Sequence, residues 1–568
     1  AGESGKVDSA AEYESRRDKE FLYHFYRDAN CLVELDEEPP HPVNEDALRT
    51  ALQIGLMLKA QFIDRIQFMR KTVVDGSNTS GFQRTALIAV NGFVELKGRK
   101  ISIPTLCLEE EAAKIVERKD GQDVYNLSRL GIPLVEIATG AELNSPELVK
   151  ECAETLGMIL RSTGRIKRGL GTIRQDVNVS IREGERVEIK GAQDLRMLSR
   201  IVENEVIRQK NLVEIRRELE NRGIKKIEHE EKDLTNALSG TKSKVLRAAI
   251  DNSGLIIGIR LSGLKGLLGR EIQKGRRLGT EISEYAKKFG VSGIIHCDEL
   301  PGYGITDEEI KIIISELKCS GNDGFAIIAS GRENSRNAVQ AAVKRARLSL
   351  SGVVPEVRKA NEDGTSSFLR PMPGSSRMYP ETDIPVIQSV IEGIEVPRLI
   401  TERASDYVGL GLSEQMAGIV SRSNKREFFE KAVSHFKEIE PSFIASAIFL
   451  FPKDIESRLG LDSSKIGEDV ILSVLDELEK GKISKQAVSE VFALVAKGEN
   501  LNSALKKFES MDDSALEKEI LSIISSLKSA AGKESELKEN AVVGHVMDKL
   551  RGKADGKKIV ELARKLMK

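Results

Sequence analysis

One change of texture constrains the fold of this chain more than any other feature. Up to about residue 400 strand-like and helix-like stretches are intermixed, and beyond it every apolar pattern has helical spacing. In the mixed part, residues 43–60 place Ala47, Leu48, Ala51, Leu52, Ile54, Gly55 and Leu58 on one helical face behind a capping Asn44. Ser145-Pro146 opens a second amphipathic helix that runs to Ser162. Strand-like pieces at 86–90 and 92–96 and an alternating run at 178–189 surround it, and a long helix is predicted over about 192–221. No strand–helix–strand period emerges, which predicts a multidomain α+β fold. At 568 residues the chain is too long for one core, and roughly three or four domains are expected. Composition divides it into a first α+β domain (1–240) and, past the charged stretch 225–233, an α+β module of short elements (245–370). A Pro- and Gly-rich return to the first domain (371–400), a helical domain (401–475) and a helical tail (476–568) follow.

Within the β-prone stretches stand isolated carboxylates. Glu109, Glu110 and Glu111 follow Leu106-Cys107-Leu108, Glu136 lies in GIPLVEI, Asp176 stands just before the alternating run and Glu188 near its end. A carboxylate in a β-rich core is costly unless it is paired, hydrogen-bonded or bound to a cation, so several in separate segments point to a metal and phosphate site.

Global composition excludes little else. Charged residues make up 31% with a net charge of -1, so a nucleic-acid surface must be local. Five cysteines, at 31, 107, 152, 297 and 319, fit neither a zinc knuckle nor a disulfide framework, and a reducing cytoplasm is expected. No apolar stretch approaches the roughly 20 residues that span a bilayer. The last 24 residues carry eight basic side chains against three acidic ones, a patch that on its own reads first as a solvated helical face.

The residues around the carboxylates carry a resemblance. Leu106 to Lys114, LSRLGIPLVEI (127–137), TIRQDVNVSIREGERVEIK (172–190), RMYPETDIP (377–385) and VVGHVMDKLRGKA (542–554) resemble the E-type subunits of archaeal glutamyl-tRNA(Gln) amidotransferases, which are related to the bacterial B-type subunits in the GatB/GatE family. The likeness covers nearly the whole chain. It implies a cradle-like mixed α/β catalytic domain and all-helical C-terminal domains. DELPGYGI (298–305) makes the 245–370 module similar to an insertion found in bacterial-type aspartyl-tRNA synthetases.

The resemblance implies a chemistry: the side chain of glutamate carried on tRNA(Gln) is phosphorylated with ATP and then amidated by ammonia. Such a phosphoryl transfer needs Mg²⁺ and positive groups around the phosphates. Carried onto this sequence, Glu109, Glu110, Asp176 and Glu188 are the expected cation ligands, and Glu110, Glu136, Arg174 and Lys190 the expected catalytic groups. Arg84, Arg174 and Lys190 are expected to meet the ATP phosphates, and Arg377 and Glu381 the substrate. Glu111 reads as a solvated first-turn helix residue and Tyr379 as packing. The loop DGSNTSGFQRT (75–85) is no P-loop; its small residues suit close approach to a phosphate or an RNA end, and equally a mobile hairpin tip. In the tail, Lys549, Arg551, Lys553, Lys557 and Lys558 are the expected tRNA contacts, made to phosphate and RNA shape.

The family's Glu-Ile-His motif does not occur here, and AGESGKV corresponds to a point inside the family's first domain, so that strand is expected to lie outside this sequence. With neither a Ser-Lys amidase signature nor asparaginase-like threonine motifs, the chain is not expected to hydrolyse glutamine alone, and the resemblance implies an asparaginase-like glutaminase partner that supplies ammonia in a heterodimer or heterotetramer. Two other readings stay open: a B-type protein acting on aspartyl-tRNA(Asn), and a noncatalytic tRNA-binding module.

Overall fold

The apolar pieces at 86–90 and 92–96 fuse into one long strand. A bulge between Leu87 and Ala89 shifts the register once without ending the pairing. Gly92 is needed within it, because a Cβ there would stand 3.0 Å from the Leu58 carbonyl oxygen at the end of the first helix. The computed structural model describes residues 19–119, 121–169, 171–374, 377–380, 382–509, 513–531, 539–550 and 556–567. It divides into two compact units, Ala1–Val396 and Pro397–Lys568.

In the first unit, β1 (Phe68–Thr72), β2 (Phe82–Leu96), β3 (Arg99–Glu110) and β4 (Pro133–Ala138) form an antiparallel sheet, with Met378–Tyr379 pairing at the β1 edge. Helix α1 (Glu45–Met57) begins where Asn44 accepts the Ala47 N–H at 2.9 Å, and it packs against β2 and β3. Helix α2 (Pro146–Ser162) is capped by Ser145, and α3 (Leu195–Asn221) by Asp194.

A second sheet takes the order β5 (Val177–Val179), β6 (Val187–Lys190), β7 (Glu356–Ala360), β8 (Ser366–Pro371). Only the β6–β7 pair is parallel. Composition ends the middle module at 370, yet 356–371 pairs here with 177–190. Val177, Val187 and Ile189 share a core with Leu198 and Ile201 of α3.

Between these strands the chain builds a third sheet from His229–Asp233, Leu255–Leu261, Gly324–Ser330 and Ile295–His296, with helices α4 (Leu278–Lys287) and α5 (Arg332–Leu348) packed together beside it. Among its described residues the second unit is built of helices, from Ile400–Gly409 to Gly556–Met567, and includes a π-helical turn at Ser446–Leu450. One of its cores includes Phe429, Ile448, Val488 and Phe492; another includes Leu516, Val542, Val546 and Ile559. The expected multidomain α+β fold with a helical C-terminal region is what forms. Among the described residues no helix is long and apolar enough to cross a membrane.

Candidate active site

Successive residues of a strand face opposite ways, and this separates the acidic run at the end of β3. On one face, cross-strand pairing sets Lys71 beside Gln83, Thr85 beside Glu109, and Cys107 beside Glu136. Lys71 Nζ lies 2.8 Å from Glu109 Oε1 and 3.7 Å from Glu136 Oε2. Thr85 Oγ1 donates to Glu109 at 3.0 Å, and Gln83 Nε2 donates to Glu109 at 3.1 Å and to the Glu110 carbonyl at 2.6 Å. Glu109 is buried under these donors. Glu110 turns to the other face, where Arg84 Nη1 is 3.2 Å from each carboxylate oxygen. That face also holds Arg70, with its guanidinium 5.0 Å from the Phe82 ring and 5.8 Å from the Tyr379 ring. Glu109 and Glu110, both expected as cation ligands, therefore sit in two different environments: Glu110 is held by Arg84 away from Lys71, and the acid that joins Glu109 at Lys71 is Glu136.

The second sheet supplies the remaining acids. Lys190 Nζ lies 2.8 Å from Asp176 Oδ2 and 2.7 Å from Glu188 Oε1. Glu136 connects the two clusters. Its side chain is 53% exposed, yet partial loss of water around the carboxyl raises its pKa; Glu109 and Asp176 push the same way, and Lys71 and Lys190 oppose them. Burial works against the Lys190 charge, but Asp176 and Glu188 overcome it and hold the ammonium above its ordinary range. Burial, Glu109 and Glu136 push the Cys107 thiol up to about 12 against Lys71, so it stays protonated at neutral pH. Burial also raises the Glu110 carboxyl, opposed by Arg84.

Other expected site residues are distributed as follows. Arg174 is bonded to Glu111, so Glu111 is not a solvated helix residue. No helix starts there, because the Glu111 N–H donates to the Ile132 carbonyl at 2.7 Å and the chain runs on into the strand Lys114–Lys119. Arg377 Nε donates to the Thr72 carbonyl at 2.7 Å, at the end of β1. Glu381, Arg551 and Lys553 lie outside the described residues. Lys549, Lys557 and Lys558 are exposed on the last two helices of the second unit. The 75–81 loop is tied down at several points. Tyr125 Oη donates to the Asp75 carbonyl at 2.6 Å, Tyr23 Oη to that of Gly76 at 2.7 Å, and Thr79 Oγ1 to that of Glu34 at 2.9 Å.

Among the described residues no three acidic, histidine or cysteine side chains close on one point as a formed metal shell. The donor chemistry nonetheless fits a hard divalent cation: Glu109, Glu136, Asp176 and Glu188 offer only carboxylate oxygens. Four carboxylates against Lys71 and Lys190 leave an excess of two negative charges, the charge of one such ion. Lys71 is the residue that sequence reasoning missed. It stands in an unremarkable FMRKT strand, and only the register of Lys71 against Gln83, together with that of Thr85 against Glu109, brings it to Glu109.

A family model described as the GatB/GatE catalytic domain matches residues 27–394, and one described as GatB domain matches 427–567. The chain belongs to the GatB/GatE family. It is 43% identical to the E-type subunit of glutamyl-tRNA(Gln) amidotransferase from Archaeoglobus fulgidus, across 100% of this chain and 91% of that protein. The corresponding proteins of Methanocaldococcus jannaschii (43%) and Saccharolobus solfataricus (42%), which carry the same name, match over the same shares. In this GatB/GatE chain both lysine–carboxylate clusters fall inside the catalytic-domain match, and Lys549, Lys557 and Lys558 fall inside the second.

Proposed function

We propose that this chain is the component of a tRNA-dependent amidotransferase that uses ATP to activate the side-chain carboxylate of glutamate on glutamyl-tRNA(Gln) and transfers ammonia to it, giving glutaminyl-tRNA(Gln). The observation that carries this reading is the acidic excess of Glu109, Glu136, Asp176 and Glu188 over Lys71 and Lys190. Bound Mg²⁺ and ATP supply an electrophilic phosphoryl group, which a carboxylate needs before ammonia can displace an oxygen.

The chain's own residues divide the remaining work. The four carboxylates hold the cation. Lys71 and Lys190, which neutralise those carboxylates in the structure, are the positive groups that meet phosphate oxygens. Arg174, held by Glu111 in the segment leading to β5, adds a third. Glu110 and Arg84 brace the strand ends from the opposite face. Ammonia arrives from an asparaginase-like glutaminase partner in a cytoplasmic heterodimer or heterotetramer, and Lys549, Lys557 and Lys558 contact tRNA phosphates.

The test is release of ADP from ATP by the full chain with its glutaminase partner, glutamine and Mg²⁺, comparing glutamyl-tRNA(Gln) with uncharged tRNA. ADP release should require the charged tRNA, and Glu109→Gln or Glu136→Gln should lower kcat by about 100-fold. Tight tRNA binding without any ADP would replace this reading with a noncatalytic binding module.

A further inference from the structure

Beneath the second sheet lies a group of charges that the proposed chemistry does not use. Arg208 and Glu205 of α3, Glu281 of α4, Arg345 of α5 and Arg358 of β7 have side chains with no exposed surface, and Glu356 of β7 is 1% exposed. Three guanidinium groups and three carboxylates balance to zero. Arg208 reaches one acid on each of three elements: Glu205 at 2.8 Å, Glu281 at 2.5 Å and Glu356 at 2.6 Å. Arg358 bonds to Glu356 at 2.5 Å and to Glu281 at 3.1 Å, and Arg345 to Glu281 at 2.5 Å. Tyr285 Oη donates to the remaining oxygen of Glu356 at 2.8 Å.

As a source of stability this is a poor choice. Apolar side chains filling the same space would match or exceed a buried ion network, because desolvation offsets most of the attraction. What the network adds is direction. Each guanidinium donates in a fixed plane to particular oxygens, so the three helices and β7 fit together in one arrangement only. Strand β7 then passes that arrangement on. Its Glu356 and Arg358 pair in register with Val187 and Ile189 of β6, and its Val357 and Lys359 with Glu188 and Lys190. The two inward residues of β7 belong to the buried network, while the intervening positions lie beside the two site residues of β6.

We propose that Glu356 and Arg358 are positioning residues: gripped by Arg208 and Glu281, they fix β7, and through it β6, so that Glu188 and Lys190 are presented to Glu136 and Asp176 in one register. The module that carries Glu281 and Arg345 is thereby tied to the site. The catalytic part of this inference rests on the function proposed above, and the structural part does not.

Tyr285→Phe and Glu356→Gln test it in the full chain with its glutaminase partner. Tyr285→Phe leaves every charge in place and keeps the ring stacked on Phe368, at 3.8 Å between centroids, so it is the variant chosen to fold if the other does not. Amide hydrogen exchange over 187–190 should quicken about tenfold while β2 and β3 are unchanged, as expected for one lost hydrogen bond to a charged group. ADP release per folded molecule, with the folded fraction fixed by circular dichroism, should lose about tenfold in kcat with KM for ATP and for glutamyl-tRNA(Gln) held within about twofold; a mere loss of folded protein would vanish on that correction and would not confine faster exchange to 187–190. Unchanged exchange at 187–190 in a folded variant overturns the proposal, as does faster exchange there with kcat intact. If the unaltered protein releases no ADP, the functional reading fails, and exchange alone decides whether the network holds β6.

Discussion

Lys71 illustrates what a single residue contributes to this site and why it escapes a reading of the chain. Its ammonium neutralises Glu109, whose side chain is only 2% exposed against 19% for Lys71. Removing one member of such a pair leaves a desolvated charge with only hydrogen bonds to support it. Lys71→Met should therefore lower the free energy of unfolding by about 2–4 kcal/mol in urea titrations, discounted for the exposure of the lysine. Adding Glu109→Gln to it should restore more than half of the loss; no restoration would mean that the cost lies elsewhere. The acids were legible because a carboxylate among β-branched neighbours is anomalous in itself. The lysine was not, since a lysine in a strand is ordinary and its meaning depends on two cross-strand registers. Glu111 was misread for a related reason: an acid before two alanines looks like a helix start, but the Ile132 carbonyl takes its N–H into a turn between strands.

At the scale of elements, helices were legible from local chemistry. Asn44, Ser145 and Asp194 each accept a backbone N–H at the start of the helix that they precede. Sheet order was not, because β6 finds β7 across more than a hundred residues and no local pattern records the partner. The short strand Ile295–His296 offers a further test. His296 is buried, its Nδ1 meets no hydrogen-bond partner, and its Nε2 lies 3.8 Å from Glu299. Burial lowers its pKa below the ordinary 6.5, with Glu299 and Asp298 opposing and Arg277 assisting. An unfolded chain takes up this proton near 6.5 while the folded one resists, so the unfolded state binds more protons and stability falls as pH drops below that value. The urea midpoint of the first unit should accordingly fall more between pH 7.5 and pH 5.5 in the unaltered protein than in His296→Gln. Parallel slopes would place the acid sensitivity in other groups.

For the whole molecule, the change of texture near residue 400 corresponds to the division between Val396 and Pro397. The helical unit has its own buried clusters, so residues 397–568 expressed alone should unfold cooperatively with strong helical circular dichroism. A gradual, non-cooperative loss of helix would show that it needs the first unit. The pairing of β6 with β7 has a consequence in time as well as in space. Strand β6 ends at Lys190, and its parallel partner begins only at Glu356. At roughly 5–20 residues per second of synthesis, β6 waits on the order of ten to thirty seconds before β7 exists. For that interval Glu188 and Lys190 emerge on a strand with one neighbour, and the whole intervening module must be made first. The acidic cradle is thus among the last parts of the first unit to close, and a nascent chain stalled before residue 356 would present an open strand edge instead of half a site.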